Sequence, residues 1–547
     1  MKKKNIIWIV VDCVRNYQSG TDDRDKLDIM YELESEFASF DNMMVSAPSS
    51  IMSAANFFTS IPSYYLAGNY SQFKFDNESY WCINDILKEY GYKNHAIMNA
   101  YDCRSMLNDF VDLVDDKFLT KNVRPTMMRW PNKDVTKICN NLLDSEPQDP
   151  SFHFLWYNTR LDPNMSNEIK GLIQDIKNRE LFDDSVIIVT ADHGYPDRER
   201  GLVSDGWDLL KAGIPHDILL TNDNINVPFL LYYPGVKPGK VNNLVSTEDI
   251  IPTLMDLLDI KLPFEKKLPL FGKSLIPLLD KDPLSDEVLE FFDNRVIRSD
   301  ARFSLQKDRI TSLQKNNFHY IAKHDGSSEE LYDTSIDPKE VNNIASKSEN
   351  EKIVNFFRGY FKEENQKILR IQKLNTTNKL NISFNNLKNT KFNNCYVIAF
   401  NQSYLYQSVI ESLKTTFPDI EITLIIDINE INQKDSIFEN ITIVSSEKIL
   451  DLKNIKKKEL VIEVVDDPIS NNFRDIYQNF RNIKGHKVLR VEWNGKINIL
   501  KYKLFNTPKI LKLKADLRKI VNKIKLGINE PTYFINELTR VSKKIFK

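Results

Sequence analysis

A chain of 547 residues is longer than one ordinary core, so two or three domains are expected. Hydrophobic residues at 41% and charged residues at 27% describe a globular chain and exclude a disordered one. The 74 Lys and Arg nearly cancel the 76 Asp and Glu, leaving a formal charge of −2 and no global attraction for nucleic acid.

"MKKKNIIWIVVDC" opens like a secretion signal, with basic residues ahead of apolar ones. Its apolar run covers only Ile6 to Val11, ends on Asp12 and lacks a small-residue cleavage site, so a short buried strand is expected instead. No apolar run of about 18 residues follows, which argues against a membrane-spanning helix. The five cysteines, Cys13, Cys82, Cys103, Cys139 and Cys395, are odd in number and lack metal-site spacing. Together these features lead to the expectation of a reduced, cytoplasmic protein.

"SAPSSIMSAANFFTS", residues 46–60, sets Ser46, Ser49, Ser50 and Ser53 at the start of an apolar, helix-like run. Short hydroxyl side chains cap helices there, yet a helix N-terminus also stabilises a phosphate or a nucleophilic oxygen. "INDILKEYGYKNHAIMNA" predicts a helix, a stop at Gly91 and a strand. "NEIKGLIQDIKNRELFDDSVIIVTADHG" predicts a helix, a turn at Asp183-Asp184 and a strand that runs into Asp192 and His193. "VPFLLYYPG" predicts a buried strand, and "STEDIIPTLMDLLDI" a helix opened by Ser246 or Thr247, with Glu248 and Asp249 in its first turn. Strands alternating with helices indicate an α/β domain, a mostly parallel sheet flanked by helices.

The texture changes near residue 371. Residues 371–393 are polar and Asn-rich, consistent with a linker between a first domain, 1–370, and a second, 394–547. The second reads as strand, helix, strand and two further strands, "ELVIEVV" and "KVLRVEW", a smaller α/β domain without a glycine-rich nucleotide motif. Its tail, residues 501–547, holds 13 basic and 3 acidic side chains, a net of +10 that leaves the rest of the chain at −12. In that tail Ile510, Leu513, Leu517, Ile520 and Ile524 recur at three- and four-residue spacing. A basic amphipathic helical tail of this kind either packs on its own domain or, through residues 508–547, touches an anionic membrane as a peripheral protein.

Asp12 ends the first predicted strand, and Asp192 and His193 follow "SVIIVT". Ligands of open α/β sheets collect outside the carboxyl ends of strands. Two carboxylates and an imidazole there suit a divalent cation, although singly they also read as a turn cap and a polar loop.

Taken in order, these segments resemble the sulfatase and alkaline-phosphatase superfamily over roughly residues 4–345. "NIIWIVVDCVR" is similar to that family's opening strand, whose metal-binding Asp is followed three residues later by Arg, and "TADHG" to its late Asp-His pair. "HDILLTNDNINVPFLLYYPG", "STEDIIPTLMDLLDI", "GKSLIPLL" and "EELYDTSIDPKEVNNIA" resemble later and closing segments. The resemblance implies an alkaline-phosphatase-like fold and one divalent cation (Mn, Ca, Mg or Zn) held by Asp12, Ser50, Asp192 and His193. It also implies a nucleophile on a helix N-terminus. One family pattern, C/S-x-P-x-R, has its first residue oxidised to formylglycine, but Ser46-Ala47-Pro48-Ser49-Ser50 puts serine where Arg is required. The unmodified pattern, Ala-Pro-x-Thr-x-Pro-Ser followed by Thr-Gly, gives Ser50 the Thr position, with Met52 in place of Pro and Ser60 in place of Gly. The spacing to Thr59 favours Ser50 over Ser46 and leaves Ser49 and Ser53 as caps.

By the same resemblance, His216 is the candidate general acid or substrate donor, and Arg15 either pairs with phosphoryl oxygens or makes a surface salt bridge. "WYNTRLDPNM" offers Asn158, Arg160 and Asp162 but lacks the His of related proteins, so a single metal is expected. A sulfo-serine is hard to cleave, whereas a phosphoserine can be opened by water. The expected function is therefore a metal-dependent hydrolase or phosphodiesterase acting on a small-molecule, glycan or lipid phosphate ester, with sulfate less favoured. Two rivals stand beside it: a phosphoryl-group transferase in surface glycan or lipid synthesis, and a non-catalytic scaffold.

Overall fold

The computed structural model describes residues 3–16, 28–65, 80–99, 116–120, 132–145, 150–157, 164–195, 219–262, 266, 269–279, 286–301, 310–323, 326 and 328–385. Beyond them it describes 394–399, 404–426, 441–445, 460–465, 487–492 and 497–500. The chain forms two compact units that divide between Ile368 and Leu369.

At the centre of the first unit lies β1 (Asn5–Val11), whose apolar side chains from Ile6 onward are all buried. Its parallel neighbours are β5 (Ser151–Tyr157) and β6 (Ser185–Ala191), buried along their whole length. β3 (Lys93–Asn99) and β4 (Asp116–Thr120) extend the parallel set beyond β5. On the other side β7 (Asn226–Tyr232) runs antiparallel to both β6 and β2 (Ala38–Met44). β8 (Gly239–Val241) and β9 (Val245–Ser246) complete the nine-stranded sheet along β2. Apolar runs without alternation belong to strands covered on both faces, and the helices α1 (Asp28–Leu33), α2 (Ser50–Thr59), α3 (Ile83–Glu89), α4 (Asn132–Ser145) and α5 (Met165–Asn178) flank this sheet. In α5 the buried Ile169, Leu172, Ile173 and Ile176 recur at helical spacing, which fixes the face turned to the core. The mostly parallel α/β architecture expected from the sequence is the one observed.

His95 on β3 and His153 on β5 face each other in register, with stacked rings 5.1 Å apart. Burial, and then the neighbouring imidazole, push His153 down to about 3, so it stays neutral in the sheet.

α2 carries the serine-rich stretch. Ser49 occupies its N-cap position at φ −150° without making a side-chain cap bond, while Ser53 Oγ donates to the Ala47 carbonyl at 3.1 Å. The helix ends at Ser60, which holds φ 57°, the left-handed conformation that glycine adopts most readily. Ser60 thus keeps the backbone shape of the Gly it replaces, and its Oγ donates to the Glu248 carbonyl at 2.7 Å. Phe57 packs on Trp8 at 5.4 Å between ring centroids and Phe58 on Phe154 at 4.8 Å, which seats α2 against β1 and β5.

The short helix α6 (Asn222–Ile225) precedes β7, and Glu248 lies in the tight turn Thr247–Asp249 that leads into α7 (Ile250–Leu257). Asp249 accepts the Ser246 N–H at 2.8 Å and pairs with Arg295 at 2.7 and 3.2 Å, so the start expected at Ser246 is met. Gly272 allows the chain to close on this turn, because a Cβ there would meet the Glu248 carbonyl oxygen at 2.4 Å. Glu248 itself accepts a bond from Asn56 Nδ2 of α2 at 3.3 Å.

A four-stranded antiparallel sheet closes the first unit: β10 (Ile297–Ala301), β11 (Ile310–Lys315), β12 (Phe318–Lys323) and β13 (Glu329–Asp333). Leu313, Tyr320 and Leu331 pack there with Val354 and Phe357 of α8 (Glu351–Asn385). The sequence reading assigned no sheet to this region, whose strands are short and mix apolar with charged residues. α8 also carries helix into residues 371–385, where a linker was expected; those residues contain neither Gly nor Pro to stop it.

The second unit contains β14 (Asn394–Ala399), α9 (Tyr404–Thr416), β15 (Glu421–Ile426), β16 (Ile441–Ser445), β17 (Leu460–Val465), β18 (Lys487–Glu492) and β19 (Ile497–Leu500). Its sheet order is β16-β15-β14-β17-β18-β19, parallel except for the β18–β19 pair. The basic tail of residues 501–547 lies outside the described residues. Among those described, no helix is long and apolar enough to cross a membrane.

Burial raises the Glu248 carboxyl to about 8, with Asp249 adding to the rise. The folded chain then keeps a proton that the unfolded chain loses near the ordinary 4.5, so this group makes stability fall as pH rises from 4.5 to 8. Glu248→Gln should flatten that fall, by up to about 1.4 kcal/mol per pH unit in the window. Urea midpoints from pH 5 to 8 provide the measurement, and parallel pH curves for both proteins would contradict it.

Candidate active site

The parallel register of β1 and β6 sets Val11 opposite Ala191, so the residues that follow emerge side by side at the carboxyl ends of the strands. From β1 come Asp12, Cys13 and Arg15; from β6 come Asp192, His193 and Gly194. Asp192 is fully buried, and its Oδ1 accepts two backbone N–H groups, from Cys13 at 3.0 Å and from His193 at 2.9 Å. One carboxylate oxygen therefore clasps both turns.

His193 is also fully buried. Its Nδ1 lies 2.7 Å from the Gly194 carbonyl, an acceptor only, which assigns the ring proton to Nδ1 and the lone pair to Nε2. Nε2 in turn lies 3.3 Å from Asp192 Oδ2, 3.9 Å from Asp12 Oδ1 and 3.3 Å from Ser50 Oγ. Ser50 Oγ is also 3.5 Å from Asp12 Oδ1. The four residues expected to form a metal site thus converge. Two carboxylates and an imidazole lone pair around a hydroxyl are a donor set that fits a divalent cation, and first-row or alkaline-earth ions take such oxygen and nitrogen ligands.

Ser50 and Ser46 are separated by their surroundings. Ser50 is the first residue of α2, with its hydroxyl on the Asp12–His193 side. Ser46 Oγ instead accepts the Ser63 N–H at 3.2 Å, and the Ser46 carbonyl accepts Ser63 Oγ at 2.9 Å and the Asp300 N–H of β10 at 3.0 Å. Ser46 is bound into the loop, away from the cluster's bonds.

Arg15 is only 3% exposed, so the surface salt bridge considered for it is excluded. Its guanidinium lies over the Tyr195 ring at 4.9 Å. Gly194 makes that packing feasible: a Cβ there would fall 2.1 Å from the Asp223 carbonyl oxygen and 3.1 Å from Arg15 Cβ. The Asp223 turn is held from behind by Glu340, which accepts the Asn222 N–H at 2.9 Å and pairs with the buried His319. His319 carried no sequence signal beyond its presence. Its role follows from the β12 register, which no local motif encodes.

Cys13 is the residue that the sequence reading passed over. Among the described residues, Asp12, Cys13 and His193 form a group whose ligand atoms all lie within 4.8 Å of one another. The signal was adjacency to Asp12 rather than spacing to another cysteine. His216, Asn158, Arg160 and Asp162 lie outside the described residues.

The Sulfatase family profile matches residues 163–260, and that of the N-sulphoglucosamine sulphohydrolase C-terminal domain matches residues 216–367. Arylsulfatase K of Homo sapiens is 30% identical over 171 residues, 31% of this chain and 29% of that protein. The Delta 4,5-hexuronate-2-O-sulfatase of Bacteroides thetaiotaomicron is 28% identical over 199 residues, 35% of this chain and 36% of that protein. The chain thus matches about a third of the length of these relatives. A solved 2-O GAG sulfatase shares the fold at a TM-score of 0.53 and 17% identity, over 67% of this chain and 92% of that one. Residues 163–367 thus match sulfatase-family profiles, and the chain shares its fold with a solved sulfatase.

Proposed function

We propose that the chain is a metal-dependent hydrolase that cleaves a phosphate ester with Ser50 as the nucleophile. The observation that supports this reading most directly is the position of Ser50 Oγ, 3.3 Å from His193 Nε2 and 3.5 Å from Asp12 Oδ1, on the first residue of α2. A helix start offers N–H groups and a positive dipole end to a developing anion. A divalent cation at this site would lower the hydroxyl's pKa and neutralise charge on the ester's non-bridging oxygens. Asp12 Oδ1 lies in reach of the Ser50 proton as the Oγ–P bond forms and the P–O bond to the alcohol breaks. Arg15, buried over Tyr195, is assigned the pairing with the phosphoryl oxygens. His216 is assigned the proton for the leaving alcohol. Water then opens the phosphoserine, regenerating Ser50 and releasing phosphate.

Sulfate is the second reading, supported by the names of the relatives, arylsulfatase K and Delta 4,5-hexuronate-2-O-sulfatase. Plain serine weighs against it, because a sulfo-serine lacks the escape that a formylglycine hydrate has. Aryl phosphate, aryl phosphodiester and aryl sulfate assayed side by side separate the two: the phosphate esters should turn over faster, and exclusive turnover of the sulfate would reverse the assignment.

Ser50→Ala should fold normally yet lose about a thousandfold or more in rate, the scale of removing a nucleophile that works as part of a unit. Ser46→Ala should instead lose stability by about 1 kcal/mol, through the Ser63 bond, and keep most of its rate. Intact-mass measurement should find both serines unmodified; an aldehyde at Ser46 with an active Ser50→Ala protein would overturn the proposal.

Asp192→Asn retains an oxygen for the Cys13 and His193 N–H groups but presents an amide to His193 Nε2. Metal affinity should drop by at least about tenfold, while the urea midpoint moves little. Undiminished metal content in that variant would take Asp192 out of the site.

A further inference from the structure

Four successive carbonyls, from Asp223 to Asn226, are shared among the three segments that meet at the candidate site. The Asp223 and Asn224 carbonyls accept the Tyr195 and Gly194 N–H groups at 3.1 and 2.9 Å, in the turn that carries His193. The Ile225 carbonyl accepts the Val45 N–H at 2.9 Å, in the loop that leads to Ser50. The Asn226 carbonyl accepts the Asn16 N–H at 2.9 Å, just beyond Asp12 and Arg15. Carbonyls at the end of a helix have no partner within it and take donors from elsewhere. The Gly194 carbonyl in turn faces His193 Nδ1, which leaves Nε2 towards Ser50.

The helix that presents these carbonyls, α6, has only four residues, a single turn that cannot stand by itself. Thr221, at its N-cap position, makes no side-chain cap bond. The Asn222 N–H is accepted instead by Glu340 Oε2, 118 residues further along the chain. Glu340 is 1% exposed and holds φ 53°, a left-handed conformation that is costly for an L residue. Its Oε1 pairs with Nδ1 of His319 on β12, which is fully buried. The carboxylate is thus pinned to the antiparallel sheet on one side and to the start of α6 on the other.

We propose that Glu340 is a positioning residue for the candidate active site: by capping α6 from a distance, it fixes the four carbonyls that hold the segments of Asp12, Ser50 and His193 in register. The proposal rests on the catalytic reading of Ser50 and His193 given above, and adds the residue that sets their alignment.

Hydrogen exchange on the full chain, followed by mass spectrometry of short peptides, tests the brace without metal or substrate. In Glu340→Ala the amides of Asn16, Val45, Gly194 and Tyr195 should exchange about tenfold faster, while those of β12 and β13 keep their protection. The same variant should lose about tenfold or more in kcat on an aryl phosphate, with KM within about twofold. Glu340→Gln should restore both readouts, since its oxygen can accept the Asn222 N–H and its amide can face His319. The His319 ring has Nε2 without a partner among the described residues, so its proton can move there. All these variants share the left-handed backbone, so they differ in the side chain alone. Should Glu340→Ala fail to fold, Glu340→Asp keeps the charge beside His319 but is too short to span both partners, and should move both readouts the same way. Unchanged exchange at the four amides, or faster exchange throughout β12 and β13 as well, would overturn the positioning role. So would a Glu340→Gln protein as impaired as Glu340→Ala. Exchange decides the matter even if the wild-type chain turned over no ester and the Ser50 reading failed.

Discussion

The site depends on Oδ1 of Asp192, which accepts N–H groups from two turns that belong to different strands. Each turn alone is a polar loop at the end of a strand. Joined through one buried oxygen, they hold Asp12, Cys13 and His193 at distances that short-range chain geometry could not maintain. The β1–β6 register delivers the two turns to the same level of the sheet, and the carboxylate removes their remaining freedom. Orientation of this kind is what a reacting group needs most, because a hydroxyl misplaced by an ångström loses most of its advantage.

The nucleophile arrives from a third direction and has its own supports. α2 is fastened at both ends: its N-terminal loop by Ser46, Ser63 and β10, and its C-terminus by Ser60 against the Glu248 turn. The small antiparallel sheet therefore does more than close the unit. Asp300 N–H and Ser299 Oγ of β10 bond to the carbonyls of Ser46 and Val45, just ahead of α2. Glu340, beyond β13, braces the turn against which Gly194 packs. Residues of this one region thus steady both the loop ahead of α2 and the Asp223 turn.

How much of this could be read from the sequence varied with the range of the interaction. The buried strands NIIWIVV and SVIIVTA announced themselves, because a strand covered on both faces is apolar without interruption. Asp12, Asp192 and His193 were legible for a related reason, since polar residues immediately after such strands must lie at the sheet's carboxyl edge. Ser50 was distinguished from its neighbours by spacing, and Ser60 shows why the spacing tolerated a substitution: serine can hold the left-handed turn at modest cost. Cys13 and Glu340 were not legible. The contact that brings Cys13 to the site is with His193, which stands 180 residues away from it. The helix across residues 371–385 was hidden by composition, since polar, Asn-rich sequence describes a linker and an exposed helix equally well.

The wide separation of the site's parts also bears on how the chain folds. Ser50 meets Asp12 across 38 residues and His193 across 143, and Cys13 meets Asp192 across 179. Contacts of such range are slow to form, because loop closure must be met before they return any stabilisation. No fragment lacking β1, β6 or α2 can assemble the cluster, and the cluster completes only when the sheet does. A ligand bound there engages the native sheet and not the unfolded chain, so by mass action its binding energy is added to the stability of the sheet as a whole.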